Sequence, residues 1–579
     1  MIHNFRLLGN DLRQHSPLRS LVMRFAHCLF LCGWLAAAPQ GLNACGTESQ
    51  PPELALVNGV IYTGDAAHLR VEAMAIHREK IVAVGTTRQI RALAGPKTRV
   101  IDLHGAFAMP GFNDAHIHLA SGGQAKLGVD FEGAKSLAEF QQRLRARLAE
   151  HKPGEWITGR GWDHTLWPEQ RFPTRQDLDA VSKDHPMIFG RVDGHVAVAN
   201  SLALQLAGIT KETKDPAAGS IEHDSAGEPT GMLKESAVGL VSRKIPPLTP
   251  EQRRRAVEMA LAEVARSGVT SLQDNSAWAD FVVYQQLKKE GKLTARITEW
   301  LPFSEPLARL NEMRQQGGTE DPWLKTGTLK AILDGSLGSR TAALLAPYAD
   351  DPSTSGILRF EPEQLKRLAI ERDNAGFQLA FHAIGDATNR IALNTFAAVV
   401  ERNGPRDRRP RIEHAQVVAP EDFPRFAELG VIASMQPVHE SSDMRWAQAR
   451  LGSDRSKGAY AWNTMLKQGA RLAFGTDYPV EPVNPLRGLY ACVTRELPEG
   501  GPAGGWQPQE KIPLEDCLRA YTGGSAYAEF EEGKKGRIAP GQWADIVVLS
   551  ADITKIPPQQ LLTTKVLQTF VGGRLVYGK

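Results

Sequence analysis

The chain has only five cysteines in 579 residues. Three of them, Cys28, Cys32 and Cys45, fall within the first 45 positions. Cys492 and Cys517 are left for the globular part, which excludes a small disulfide-scaffolded fold. These two thiols could pair in an oxidising compartment, but buried free thiols are the simpler expectation. No charge sign dominates. Formal net charge is +3, and four Arg against one Asp in residues 1–45 account for all of it. The rest of the chain is balanced, so there is no electrostatic case for a nucleic-acid partner. Low-complexity tracts and obvious solenoid-type repeats are also missing. No apolar run is long enough for a secure membrane span, since "FAHCLFLCGWLAAA" is short and interrupted. What remains is ordinary for a globular protein: 42% hydrophobic and 23% charged residues. The length exceeds that of one simple domain and suffices for a large core.

The start of the chain reads as a targeting segment. Arg19 and Arg24 precede the apolar run, which has the length of a signal-peptide core. "LNAC" follows, and resembles a bacterial lipoprotein box with Cys45 as the lipidated residue. Residues 1–45 are therefore expected to be a signal peptide of lipoprotein type, with Met23 as a second candidate start. An ordinary signal peptide cut near Ala44, or a disordered tail, is the alternative. The expected location is the periplasm or cell envelope, with membrane contact only through a lipid on Cys45.

The strongest functional signal is a set of metal-type side chains at the ends of separate apolar runs. His116 and His118 close "AMPGFNDAHIHL", and Lys330 lies in "TLKAILDG". His382 closes "FQLAFHA", His414 sits in "RIEHA" and Asp477 ends "RLAFGTD". Alternate residues of a strand share a face, so His116 and His118 can reach one ion, with Asp114 on that face too. Neutral imidazole and carboxylate suit zinc or a similar divalent cation. A lone His-x-His pair is weak evidence. The later residues in this order give the set its weight, because only a barrel of strands brings them together.

Eight such runs can be counted: "AFAMPGFNDAHIHL", "VTSLQD", "ARITEWLPF", "LKAILDG", "FQLAFHA", "PRIEHAQ", "GVIASMQP" and "RLAFGTD". They are short and apolar without alternation, as strands buried on both faces are. Helix signals separate them, which predicts an α/β fold of the (β/α)8 TIM-barrel type. Thr249-Pro250-Glu251-Gln252 reads as a capping box with Pro at the first helical position, and Gly268 as the helix stop. Ser136 and Glu139 form a second capping box, with Leu137, Phe140, Leu144 and Leu148 on one face. The barrel is expected over residues 109–534. Residues 46–108 and 535–579 are β-rich and predict one small β-sandwich built from both chain ends. The gap between the first two barrel strands, about 150 residues, is far longer than a βα connection. It predicts an inserted cap over about residues 155–248.

The motifs "MPGFNDAHIHL", "LDGSLGSRTAALL", "FHAIGDATN", "RIEHAQ", "GTDYPV" and "KKGRIAPGQWADIVVL" resemble the amidohydrolase superfamily. More closely, they are similar to its amidohydrolase-3 branch, the YtcJ-like metal-dependent hydrolases. The resemblance covers about residues 53–579, with the motifs in the family's order. It implies a barrel plus a small sandwich, and a centre of one or two metal ions. His116, His118, His382 and His414 would be metal ligands, and Asp477 both ligand and proton shuttle. Lys330 takes the position that is carboxylated and bridges two metals in similar proteins. The alternative is a barrel lysine paired with Asp334. Asp193 and His195 match a family motif in the cap and would line the substrate pocket. Homodimers are common among similar proteins.

Three further residues are candidates. Arg340, in the loop after the fourth strand, could clamp a substrate carboxylate; a loop-ordering ion pair is the alternative. His439, after "MQPV", could donate to a substrate carbonyl. Trp162 is either a pocket wall or part of the cap core. The expected function is metal-dependent hydrolysis of a carbon–nitrogen bond other than a peptide bond, in a small N-acyl or N-formyl compound. Metal-activated water and Asp477 would carry the reaction. Lactone hydrolysis or ring deamination would use the same ligands. A ligand-binding surface lipoprotein without turnover is the alternative of another class.

Overall fold

Short apolar runs with no polar alternation must be covered on both sides, and a closed parallel barrel does this. In the computed structural model of the chain, which describes residues 50–66, 69–191, 196–216, 219–338 and 340–579, eight strands build that barrel. They are β1 (Phe112–Ile117), β2 (Val269–Asp274), β3 (Arg296–Pro302) and β4 (Leu324–Ile332). The second half is β5 (Gln378–Ala383), β6 (Arg411–His414), β7 (Ile432–Met435) and β8 (Arg471–Phe474). Every neighbouring pair from β1 to β8 is parallel and follows chain order. Closure is made just past the end of β8. The Asp477 N–H donates to the His116 carbonyl at 2.8 Å, and the His118 N–H to the Tyr478 carbonyl at 2.8 Å. The backbone bonds that shut the barrel therefore run between the residues that carry the chemistry.

The first predicted strand is two strands. Phe107–Pro110 pairs antiparallel with Ile546–Leu549 in a separate six-stranded sheet, and β1 begins only at Phe112. Gly111 is the crossing point. A Cβ there would lie 2.3 Å from the Thr270 side chain, so the chain passes from one sheet to the other only without a side chain.

That six-stranded sheet and a four-stranded one are built from residues 54–110 and 546–577. They share a core of Leu54, Leu56, Met74, Ile76, Ile546 and Phe570. A third sheet, again of six strands, lies within the long β1–β2 connection. It starts at Val129–Asp130, earlier than residue 155, and the helix Leu137–Leu148 buries Phe140 and Leu144 in the same core. Trp162 belongs to that core too: it is fully buried, and its indole N–H donates to the Phe189 carbonyl at 2.8 Å.

The predicted capping box at Thr249 and Gln252 starts the helix Pro250–Arg266. Cys492 and Cys517 do not remain free thiols; they form a disulfide. The helices that carry them, Pro485–Thr494 and Leu514–Arg519, pack together and bring the two Cα atoms to 6.4 Å, within bonding reach. Two cysteines 25 residues apart in sequence carry no local sign of that approach.

Candidate metal centre

The mouth of the barrel gathers His116, His118, Lys330, His382, His414, His439 and Asp477 around one cavity of about 540 Å³. Two of these, His414 and Asp477, sit where backbone strain turns the chain, and so does Ala415 next to His414. His414 (φ 76°), Ala415 (φ 42°) and Asp477 (φ 57°) occupy the left-handed region, uncommon for residues other than glycine. Such conformations cost free energy and persist where surrounding structure holds them, typically at functional sites. At the end of β6 this turn separates His414, which faces the mouth, from Arg411 and Glu413, which fill the barrel below.

Each key imidazole has one nitrogen already occupied. His116 donates from Nδ1 to Glu413 Oε2 at 2.8 Å, and His118 from Nδ1 to the Asn275 carbonyl at 3.0 Å. His414 Nδ1 donates to Gln436 Oε1 at 2.8 Å. With Nδ1 committed, Nε2 keeps its lone pair, which is the form that binds a metal. His116 Nε2 and His118 Nε2 lie 3.5 and 3.1 Å from Asp477 Oδ1. Their ligand atoms and that of Asp477 fall within 4.8 Å of one another, and so do those of His414, His439 and Asp477. Asp477 belongs to both groups.

The electrostatics suit a cation. Burial, reinforced by the Lys330 charge, lowers His116 to about 4, and burial with neighbouring histidines holds His414 well below the usual range. Both are neutral imidazoles at pH 7. Burial also pulls His118 down, but the Asp477 carboxylate outweighs it and raises the group. Burial pushes Asp477 up, yet the surrounding imidazoles, His116 first, hold it well below the usual carboxylate range. A buried carboxylate faced by the Nε2 atoms of His116, His118 and His439 is a donor set that a divalent ion such as zinc fits.

Lys330 is 6% exposed, with Nζ 3.2 Å from His116 Nε2 and 5.2 Å from the centre of the Trp300 ring. Burial lowers its amine to about 8. It is not paired with Asp334, which organises the loop after β4. Asp334 accepts the N–H groups of Ala343, Ile384 and Gly385 at 2.9–3.1 Å and the Thr388 hydroxyl at 2.6 Å. Asp114 likewise turns from the mouth. It accepts the Thr476 and His116 N–H groups at 2.9 and 3.1 Å and ties β1 to the end of β8. His382 stacks edge-on against His414 at 4.5 Å, but its Nε2 points to the Gly335 carbonyl at 3.0 Å.

Arg340 is committed elsewhere. Its guanidinium makes a two-pronged pair with Asp350 at 3.0 and 3.1 Å, and it does not line the cavity. Arg359, from the same loop region, lines it instead, with Ile332, Leu337, Ile384, Trp446 and Val480 as apolar wall. Nothing in the local sequence distinguishes one arginine from the other. Asp193, His195 and Cys45 lie outside the described residues.

Sequence reading also missed the supporting layer: Glu413, Gln436 and Asn275, each bonded to a ligand's Nδ1. The "RIEHA" motif places Glu413 beside His414, but only the fold shows that it serves His116. Glu413→Gln is expected to weaken metal affinity by about 10–100-fold, because such partners fix the tautomer and raise the basicity of the ring. Titration of the metal-free protein with Zn(II) would measure it, and an unchanged affinity would remove Glu413 from the site.

A second buried layer supports the Asn275 carbonyl. Asp274 accepts from the Leu119 N–H, the Ser276 hydroxyl and the Tyr284 hydroxyl, and Glu299 accepts the Ser276 N–H at 3.2 Å. Burial first, then the Asp274 charge, raises Glu299 well above the usual carboxylate range. The folded state thus keeps a proton that the unfolded chain releases near the ordinary value. This contribution is complete below the unfolded pKa and is lost as pH climbs through the folded one. Glu299→Gln stays neutral throughout. As pH rises above the ordinary carboxylate range, the Tm of the parent is therefore expected to fall relative to that of the variant. Parallel Tm profiles would refute a proton retained on Glu299.

The family model "Amidohydrolase family" matches residues 99–577. The YtcJ protein of Bacillus subtilis, described as an amidohydrolase, is 34% identical over 530 residues, covering 90% of this chain and 98% of its own. An N-substituted formamide deformylase of Arthrobacter pascens is 28% identical over 545 residues, covering 91% and 99%. Among solved structures, an uncharacterized metal-dependent hydrolase from Pyrococcus furiosus superposes with a TM-score of 0.72. It shares 30% identity, over 87% of this chain and all of the other.

Proposed function

This chain belongs to the amidohydrolase family, as a metal-dependent hydrolase of the YtcJ-like type, and we propose that it cleaves a non-peptide carbon–nitrogen bond in a small N-acyl or N-formyl compound. The observation that carries the reading is Asp477: a buried carboxylate, ionised at neutral pH, shared by two histidine groups at the floor of an open cavity. The name of the Arthrobacter pascens relative supports the bond type.

His116, His118 and Asp477 would hold an ion, with His414 grouped about the same carboxylate, and zinc is the best chemical match to these donors. A cation bound there would lower the pKa of water from 15.7 toward about 7 and polarise the substrate carbonyl. The chain's own part is proton movement and placement. Asp477 takes the proton of the attacking water at a carboxylate oxygen, then delivers it to the leaving nitrogen as the carbon–nitrogen bond breaks. Ile332, Leu337, Ile384 and Trp446 give the substrate an apolar seat and limit water around the scissile bond. Lys330, with its amine lowered to about 8, has the neutral fraction that a carboxylated lysine needs, and such a group would bridge two ions. The Cys492–Cys517 disulfide supports export to an oxidising compartment, with Cys45 as the lipid attachment point.

The test is hydrolysis by the zinc-loaded protein of N-substituted formamides, N-acyl amines and lactones, followed by release of amine or acid. Turnover of the first two classes, abolished by a chelator and restored by metal, is expected. Turnover of lactones alone would overturn the bond assignment.

A further inference from the structure

We infer that His439 is a metal ligand, forming with His414 and Asp477 a second cation position beside the one made by His116 and His118. The inference rests on the metal-dependent reading above and assigns His439 a role that a substrate contact does not require.

His439 lies in the first turn of the helix Pro437–Asp443, which opens directly after β7. Pro437 suits that start, because the first helical position has no N–H partner to lose. The turn delivers the imidazole inward: His439 is 7% exposed. Its Nε2 is buried with no hydrogen-bond partner and stands 3.6 Å from Asp477 Oδ2. A buried polar atom without a partner costs free energy unless something not yet named satisfies it. The His414 ring lies nearly parallel, 5.9 Å away at 14°, and its Nδ1 is held by Gln436, so its Nε2 is also free. The ligand atoms of His414, His439 and Asp477 fall within 4.8 Å of one another.

The carboxylate geometry fits two ions. Asp477 turns Oδ1 toward His116 and His118, and Oδ2 toward His439. A carboxylate with one oxygen toward each histidine group can bridge two cations. His382, which the family resemblance makes a metal ligand, turns its Nε2 to the Gly335 carbonyl and sits 3.3 Å from Asp334.

The tautomer is consistent with ligation. The side-chain amide of Gln416 lies 3.1 Å from His439 Nδ1, and its other end lies 3.3 Å from the Tyr460 hydroxyl. Tyr460 also donates to Asp443 Oδ2. With the amide nitrogen facing His439 and its oxygen facing Tyr460, one hydroxyl proton would have two acceptors. A half-turn of the amide removes the conflict, since amide oxygen and nitrogen differ little in shape. Tyr460 then gives its proton to Asp443 and accepts from the Gln416 amide. The Gln416 oxygen receives Nδ1–H of His439, which leaves the lone pair on Nε2, facing Asp477. Tyr460 and Gln416 are thus positioning residues for the ring.

The experiment loads the full chain with Co(II) after chelation, then reads metal per chain by elemental analysis together with the cobalt absorption spectrum. Two ions are expected in the parent and one in His439→Ala. His439→Cys gives a direct readout: a thiolate on cobalt produces a charge-transfer band that the parent lacks. The inference is overturned if His439→Ala keeps the full metal content and spectrum, or if His439→Cys, with parent-like Tm, binds cobalt without that band. In either case the hydrolase reading stands. A chain that takes up no cobalt at all, and hydrolyses nothing, overturns both together.

Discussion

Asp477→Asn is expected to lower kcat by about 10²–10⁴-fold, the usual size of a general acid–base contribution. The substitution isolates that role. Asparagine keeps the size of the side chain and tolerates the left-handed backbone that Asp477 adopts at φ 57°. The barrel-closing bond from the residue 477 N–H to the His116 carbonyl is a backbone bond and survives. What disappears is the anion, which His116 and His118 face at 3.5 and 3.1 Å. An amide cannot take the water's proton, and it is a poorer ligand than a carboxylate. Steady-state rates on an accepted substrate, with zinc content measured in the same sample, test this. A loss below tenfold in fully metal-loaded protein would mean that another group moves the proton.

Arg411→Leu is expected to cost about 3–5 kcal/mol of stability, as removing one partner of a buried ion pair does. Arg411 and Glu413 are both fully buried and 2.8 Å apart. Burial pushes Glu413 up, but Arg411 and His116 together bring it to about 2, so it stays charged. Arg411 also donates to Gln273, to the Ala115 carbonyl at 2.7 Å and to the Ser434 hydroxyl at 3.0 Å, and it lies over the Trp300 ring. Leucine would leave Glu413 charged and unpaired at the barrel centre, next to His116. Denaturant unfolding measures the loss. The double variant Arg411→Leu with Glu413→Leu should recover much of it, because a buried pair replaced whole by apolar groups is often near neutral. A single-variant loss under about 1 kcal/mol would show that water reaches this layer, since ion pairs in contact with solvent are worth that little.

Both predictions concern strands whose presence was legible and whose partners were not. "RIEHA" announces a buried strand ending in a ligand. It says nothing of Glu413 reaching across to His116, a residue 297 positions away. The "GSLGSRTA" loop offered Arg340 as a clamp, and the fold gave that side chain to Asp350 instead, because the loop folds back on itself. Gly111 hid a sheet boundary inside one apolar run. Periodicity cannot reveal such a boundary, since both strands are apolar and buried.

By itself, the sequence determined the barrel, its strand order and which imidazoles and carboxylate gather at its mouth. These follow from local quantities: apolar runs, helix caps, and imidazoles and a carboxylate at strand ends. Only the tertiary structure decided which nitrogen of each imidazole is free, which arginine meets the cavity, and that His439 faces Asp477. A side chain's direction is set by its partners, and here those partners lie on other strands, often hundreds of residues away. Hydrogen bonds formed on closing the barrel, donated by the histidines to Glu413, Asn275 and Gln436, turn a set of histidines into a site.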